Sequence, residues 1–350
     1  MKEKYKKITL APFCYSCLSL TEMVKILLIC IVPQLIMLIV TKSHDSLYLL
    51  FLMIFISVCT ELLHNLVMRT GIKISWETLL QGALIGLLIP ETYSPILASI
   101  ATLIVLFFEK SMFKKFAQTW LNPIILTALL LYFLSPELYP SFMLTPENVQ
   151  FTNIGTRLFT DNALVVSEFD TQINAIVNSF LKPLEIQLPE GYITLFFDSH
   201  ATIPAFRFNA MTLLASIILF ATKTLEYLIP IIFIAVYSFL VYAFSLYPYG
   251  NILGNGDILL ALFTSGTLFT GFFLLTWFGT TPKTFYGKIS FAVVSGVLAF
   301  LICGAGTSAI GMIFVVLLMN IYNTIILHIE TIFYDAQLEK THNVHKSTRG

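Results

Sequence analysis

Apolar residues run along this chain in long blocks rather than in short alternation. Ten blocks stand out, at 24–41, 46–66, 77–90, 94–109, 119–135, 210–225, 228–247, 257–278, 287–303 and 308–328. A helix needs about 20 apolar residues to cross a hydrocarbon core of roughly 30 Å, and most of the blocks approach that length. The pattern therefore predicts an all-α polytopic membrane protein with about ten transmembrane helices. The third block is short, carries Gly82 and Gly86, and closes at Pro90. It reads as a broken or half helix.

Polar stretches divide the chain into a segment 1–23, five blocks over 24–135, a long polar segment 136–208, five blocks over 209–328, and a tail 329–350. An odd number of crossings per half inserts the second half upside down relative to the first, which is the plan of inverted-repeat transporters. The halves also rhyme. Blocks three and eight are Gly-interrupted (Gly82 and Gly86; Ser265, Gly266 and Gly271), and blocks five and ten each carry an Asn beside an aliphatic run, Asn122-Pro123 and Met319-Asn320. Blocks three and eight are expected to meet near the membrane midplane and turn free backbone groups toward a cavity. Small residues that merely allow close helix packing are the competing explanation.

Composition agrees with this plan. Of 350 residues, 57% are hydrophobic and 11% charged, whereas soluble domains carry roughly 25% charge. Twenty Lys and Arg balance twenty Asp and Glu, so net charge points to no nucleic acid or acidic substrate. Placement matters more. With the N-terminus inside, only Lys42, Arg157, Lys182 and Arg207 of the 20 basic residues fall outside, and three of those lie in the long segment, which counts little in the positive-inside rule. Both termini are thus expected in the cytoplasm and 136–208 outside.

Few residues suggest chemistry. Cys14 and Cys17 have the spacing of thiol redox and metal sites, but a metal would need two further soft ligands and the other cysteines fall inside the blocks, so they read as incidental. His342 and His345 lie in a polar tail expected to be disordered. Glu61 and His64 sit one turn apart in block two and read as interface anchors, with a proton relay as the alternative. Phe272, Phe273, Trp277 and Phe278 around a broken helix can fill space or wall a planar ring. No phosphate-binding loop, nucleophile elbow or HExxH motif occurs.

Four segments in register resemble the RnfD/NqrB family, the paralogous membrane subunits of Rnf complexes and of the sodium-pumping NADH:quinone oxidoreductase, Nqr. They are Thr78 through Gly82 and Gly86 to Pro90; Lys110 through Gln118 to Asn122-Pro123; Ser265-Gly266 through Gly271 to Thr276; and Gly311 to Met319-Asn320. The resemblance implies a fold similar to urea transporters, with two inverted five-helix halves, in the bacterial cytoplasmic membrane. It implies a subunit that carries FMN on the outer side, with riboflavin as a candidate second flavin, and relays electrons coupled to Na+ or H+ movement. The partners implied are the other subunits of an Rnf/Nqr-type complex, with the lipid bilayer around them. Cofactor contact would extend to Gly82, Gly86, Asn122, Gly266 and Gly271. Three departures stand out: Trp76-Glu77 replaces Asp-Gly, Lys114-Lys115 replaces paired glycines, and Thr276-Trp277-Phe278 replaces Thr-Asp-Pro. The last removes an intramembrane carboxylate, a default candidate for ion contact.

In the family FMN is joined through its phosphate to a hydroxyl in the outer loop, within a motif of Asp, two residues, Ser or Thr, a small residue, Ala and Thr. Ser167 and Thr202 compete for that role. Ser167 follows Asp161 by six residues, precedes Phe169-Asp170-Thr171, and lies 63 residues before Pro230, near the family's separation. Thr202 keeps the local Ala201-Thr202 pair but lies only 28 residues before Pro230. The competing function is a flavin-free channel or transporter with the same fold.

Overall fold

The computed structural model describes residues 18–69, 71, 74–113, 119–139, 168–184, 191–245, 258–304 and 310–347. Among these every regular element is helical. The first five blocks form α1 (Leu20–Val40), α2 (His44–Met68), α3 (Trp76–Leu88), α4 (Pro95–Met112) and α5 (Pro123–Leu134). The long segment holds α6 (Glu168–Leu181) and α7 (Tyr192–Phe197). The last five blocks form α8 (Asn209–Ala221), α9 (Leu228–Ser245), α10 (Ile258–Thr264) with α11 (Thr267–Phe269), α12 (Phe285–Cys303) and α13 (Gly311–Ser347).

Local chemistry sets several of these boundaries. Ser19 and Glu22 form a reciprocal capping box at the start of α1, satisfying two amide groups that the first turn leaves free. Pro95 and Pro123 open α4 and α5, where the missing N–H costs nothing. Pro90 stops α3 and leaves Ile89 extended, so the third block is the short helix its glycines and proline announce. α13 corrects an expectation, because its helix continues to Ser347 through the tail expected to be disordered.

α1, α2, α4, α12 and the Gly311–Tyr334 part of α13 are long and apolar enough to cross a membrane, and α3, α5, α8 and most of α9 are shorter apolar helices. Large apolar side chains point outward along them, including Ile29, Phe55, Phe108, Leu301 and Phe333. An apolar surface this extensive belongs in lipid rather than water. The chain is a multi-pass membrane protein.

Helix packing is paired between the halves. α3 lies against α1, α2 and α5, while α4 lies against α2 and α5. In the second half the α11 region lies against α8, α9 and α13, while α12 lies against α9 and α13. Contacts between the halves include α1 with α8 and α5 with α13.

The eighth block is broken at Ser265-Gly266. Gly266 has φ +73°, a conformation that favours glycine, and α11 then continues as a π-helical turn, Thr270–Leu274. Two asparagines hold the interruption. Asn209 Nδ2 donates to the Phe263 carbonyl at 2.9 Å and to the Leu195 carbonyl at 3.1 Å. Asn122 Nδ2 donates to the Leu274 carbonyl at 3.3 Å, while its Oδ1 caps α5 by accepting from Ile124 N.

The glycines are contact points between helices. A Cβ on Gly82 would collide with the Ser57 hydroxyl and lie 2.8 Å from Ile54 Cα, and one on Gly86 would lie 2.6 Å from Leu50 Cα. A Cβ on Gly266 would lie 2.8 Å from the Phe206 ring, and one on Gly271 3.1 Å from the Phe233 ring. Gly86→Ala should lower stability by about 1–3 kcal/mol, the range for overpacking a filled interior. Gly271→Ala should cost less, because a ring edge gives way more readily than backbone. Thermal unfolding of both variants in the same detergent checks the order.

Candidate functional site

At the end of the bundle that carries the long segment, α7 rests on α8 and α10, and α6 is fastened to α7 by a buried carboxylate. Asp170 accepts from Gly191 N, Thr194 N and the Thr194 hydroxyl, at 3.0, 2.7 and 2.7 Å. The chain then turns through Asp198 to Arg207, closed by Ser199 N donating to the Arg207 carbonyl. Arg207 grips Asp198 with two N–H groups, Nε to Oδ1 at 2.6 Å and Nη2 to Oδ2 at 2.7 Å. Its Nη1 donates to the Ser43 hydroxyl between α1 and α2. Burial pushes the Asp198 carboxyl up, but Arg207 and the His200 amide outweigh it and hold the group below its ordinary range.

Thr202 lies on this turn with an exposed side chain. Ser167 lies outside the described residues, immediately before α6, as do Cys14 and Cys17. Asn122 and Gly266 belong to the broken helix and its fastening. Gly82 and Gly86 belong to the α2–α3 contact, and Gly271 to the contact with α9. The expectation that blocks three and eight meet backbone to backbone at a cavity is corrected. The approach runs through the Pro204–Phe206 turn, which packs on both α3 and α11. The aromatic residues around the break fill space in the core. Phe272, Phe273 and Trp277 are buried in the core, and Phe273 stacks on Phe269 at 4.7 Å.

A cluster of ionisable residues lies at the opposite end, where α2 and α4 finish and α3 begins. It lines a cavity of about 240 Å³ formed by Glu61, His64, Ser75, Glu77, Gln81, Glu109, Lys110 and their neighbours. Glu61 is no interface anchor. It is 8% exposed and accepts from Ser75 N at 3.0 Å and the Ser75 hydroxyl at 2.7 Å, so it caps α3 from α2. Lys110 Nζ lies 3.5 Å from Glu61 and donates to Thr78 Oγ1 at 2.9 Å. Glu109, 7% exposed, accepts from Gln81 Nε2 at 3.2 and 3.3 Å. The Gln81 amide oxygen and His64 Nε2 are buried without a hydrogen-bond partner.

Sequence reasoning missed Glu109 and Gln81. The available signal was a carboxylate near the end of an apolar block, directly before Lys110. A larger apolar groove between α12 and α13 offers less chemistry, since Glu330 there accepts from the Lys283 and Thr284 amides and the Thr284 hydroxyl.

A family model described as NQR2, RnfD, RnfE family matches residues 7–332. The chain belongs to this family. The match spans both groups of five blocks and both ends of the bundle, so the Glu109 cluster and the Asp198–Arg207 turn lie inside the family's common region. No curated protein matches the chain.

Both ends of the bundle can be probed by substitution. Lys110→Met should destabilise by about 1–3 kcal/mol, because it removes the charged partner of a buried carboxylate. Adding Glu61→Gln should cost less than the sum of the two single changes, as measured by thermal unfolding of the full cycle. Asp198 titrates below its ordinary value of 3.8, so its contribution is complete above that value and is lost as pH falls through the lower, folded value. Asp198→Asn should therefore lower the unfolding midpoint at neutral pH, and the deficit should shrink towards zero in strong acid.

Proposed function

We propose that the chain is a membrane subunit of an Rnf/Nqr-type ion-translocating electron-transport complex, built as two inverted five-helix halves and carrying FMN at its outer end. The observation that carries this reading is the family match over residues 7–332. Association with the other subunits of such a complex comes with family membership.

The inverted repeat draws support from the packing. Let α1 correspond to α8, α2 to α9, α3 to α10 with α11, α4 to α12 and α5 to α13. The pairings of α3 with α1, α2 and α5, and of α4 with α2 and α5, then recur in the second half. Two contacts between the halves, α1 with α8 and α5 with α13, each join an element to its own counterpart, an arrangement compatible with a two-fold axis. The distribution of basic residues supports a cytoplasmic Glu109 end and an outer Asp198–Arg207 end.

At that outer end Thr202 suits a tethered phosphate. Its side chain is exposed, Ala201 beside it is small, and buried Ile203 anchors the following residue. Arg207, the arginine closing this turn, is committed to Asp198 and Ser43, so a phosphate on Thr202 would be met largely by water. The contribution of this segment is to fix an accessible hydroxyl on a braced turn, with Asp170 bracing α6 near Ser167 in the same way. When bound, FMN supplies one- and two-electron redox chemistry that no side chain provides.

The complex should be purified from cells that also make its flavin transferase, then denatured and imaged for in-gel fluorescence. A fluorescent band should appear for this chain and disappear in Ser167→Ala or in Thr202→Ala, with peptide mapping naming the acceptor. No covalent flavin in the wild-type chain would favour a flavin-free channel or transporter with the same fold.

A further inference from the structure

We propose that α6 is an interfacial membrane anchor, whose stripe of Phe169, Ile176 and Phe180 inserts into the surrounding lipid and holds the end of the bundle that carries the long segment onto the bilayer surface. This contact requires neither a flavin nor a redox partner.

In α6 the usual arrangement of an amphipathic helix is turned round. Its inward side is polar: Asp170 and Asn174 are buried, Asp170 accepts from Gly191 N, Thr194 N and the Thr194 hydroxyl, and Asn174 accepts from Asn178 Nδ2 at 3.3 Å. Its outward side carries Phe169, Ile176 and Phe180, which are 42, 57 and 78% exposed. At about 3.6 residues per turn these three fall within about 40° of one another around the axis. Gln172 and Ser179, also exposed, lie about 40–60° from Ile176 in one direction, while Asp170 and Asn174 lie about 120–160° from it in the other. The circumference thus has three sectors: one against protein, one apolar and open, and one polar and open. Two rings and an isoleucine aligned on an open stripe are unfavourable in water, whereas an apolar sector beside a polar one suits a helix lying in the plane of a membrane interface.

The position of α6 decides what covers the stripe. Asp170 clamps it to α7, whose Leu195 carbonyl accepts from Asn209 at the start of α8. The turn that follows α7 runs to Arg207, which donates to Ser43, between α1 and α2, two helices long and apolar enough to cross a membrane. Ser43 marks where the apolar lengths of those two spans end, so α6 is held level with the edge of the hydrocarbon layer. From the stripe an aromatic chain leads back into the bundle: Phe169 meets Phe197 edge-on at 6.0 Å, Phe197 meets Phe196 at 5.3 Å, and Phe196 lies 5.6 Å from Phe263 on α10. α6 contains no Lys or Arg, and its charged residues, Glu168 and Asp170, are acidic. Anionic headgroups are therefore not attracted to it, and the contact with lipid is made through apolar area alone, for which a zwitterionic bilayer suffices.

Spin labels on the full chain in phosphatidylcholine nanodiscs test this. Cys14→Ser, Cys17→Ser and Cys59→Ser leave only Cys30 and Cys303, both buried, and Ile176→Cys, Phe180→Cys or Gln172→Cys is added singly and labelled with a nitroxide. Relaxation of each label by oxygen, which partitions into lipid, is compared with relaxation by a water-soluble nickel chelate. Labels at 176 and 180 should favour oxygen over nickel several-fold more than the label at 172 does, and should keep that preference when the chain is assembled in its complex. If one of these two variants fails to fold, the other carries the same comparison. Labels at 176 and 180 that nickel reaches as readily as the label at 172 overturn the proposal. So do labels shielded from both reagents, and labels open to nickel in the chain alone but shielded in the complex, since that stripe would then be covered by protein. Because no readout involves flavin, a failure of the FMN assignment leaves the test intact.

Discussion

A helix interrupted inside a bilayer leaves carbonyls that lipid cannot satisfy, and the centre of this molecule is arranged around one such interruption. The break at Ser265-Gly266 and the π-helical turn after it free acceptors at both ends of α11. Asn209 covers the Phe263 carbonyl and Asn122 covers the Leu274 carbonyl. Each asparagine stands at the first turn of another helix, α8 or α5, so the same bonds fix where those helices begin. Asn122 reaches from the first half into the second. The broken helix thus ties the halves together, which an uninterrupted span with all its backbone bonds internal could not do.

The interruption also explains why short helices are tolerated. α3 and α5 have only 13 and 12 residues, too few to cross a hydrocarbon core of roughly 30 Å alone. Their burial against longer neighbours makes length unimportant. From Leu80 to Ile89, α3 and its C-cap are buried without a gap, with Gly82 and Gly86 seated on α2. Because glycine there removes side-chain volume rather than exposing backbone, the α2–α3 pair approaches closely and behaves as one thick element. Phe206 plays the corresponding part at Gly266, filling with an aromatic ring what a backbone approach would otherwise occupy.

Much of this was legible in the sequence because hydropathy over long blocks survives folding almost unchanged. Each of the ten blocks holds a helix among the described residues, and the Gly-interrupted blocks became the short and the broken elements. Pairwise side-chain geometry was not legible. Gly82, Gly86, Gly266 and Gly271 announced close approach, but nothing in their spacing said that the partners were α2, Phe206 and Phe233 instead of one another. Glu61 looked like an interface anchor because its position near a block end is where lipid headgroups sit. Only the fold brings Ser75 and Lys110 against it. Glu109 escaped notice for the same reason, since its environment is supplied by Gln81, 28 residues earlier in the chain.

The departures from the family pattern share a physical meaning in this fold. The eighth block lacks the carboxylate expected near Thr276, and in its place Trp277 is buried in the core. Its aromatic volume secures the broken helix by packing. Buried polar groups nevertheless persist in the second half, since Thr270 in the π-helical turn and Asn320 and Asn323 on α13 carry side-chain atoms without hydrogen-bond partners. These groups are neutral, so water suffices to satisfy them. Buried carboxylates occur in both halves: Glu330 in the second accepts from the Lys283 and Thr284 amides, while in the first Glu61 lies beside Lys110 and caps α3, and Glu109 accepts from the Gln81 amide, so each buried charge is used to fasten one helix to the start of another.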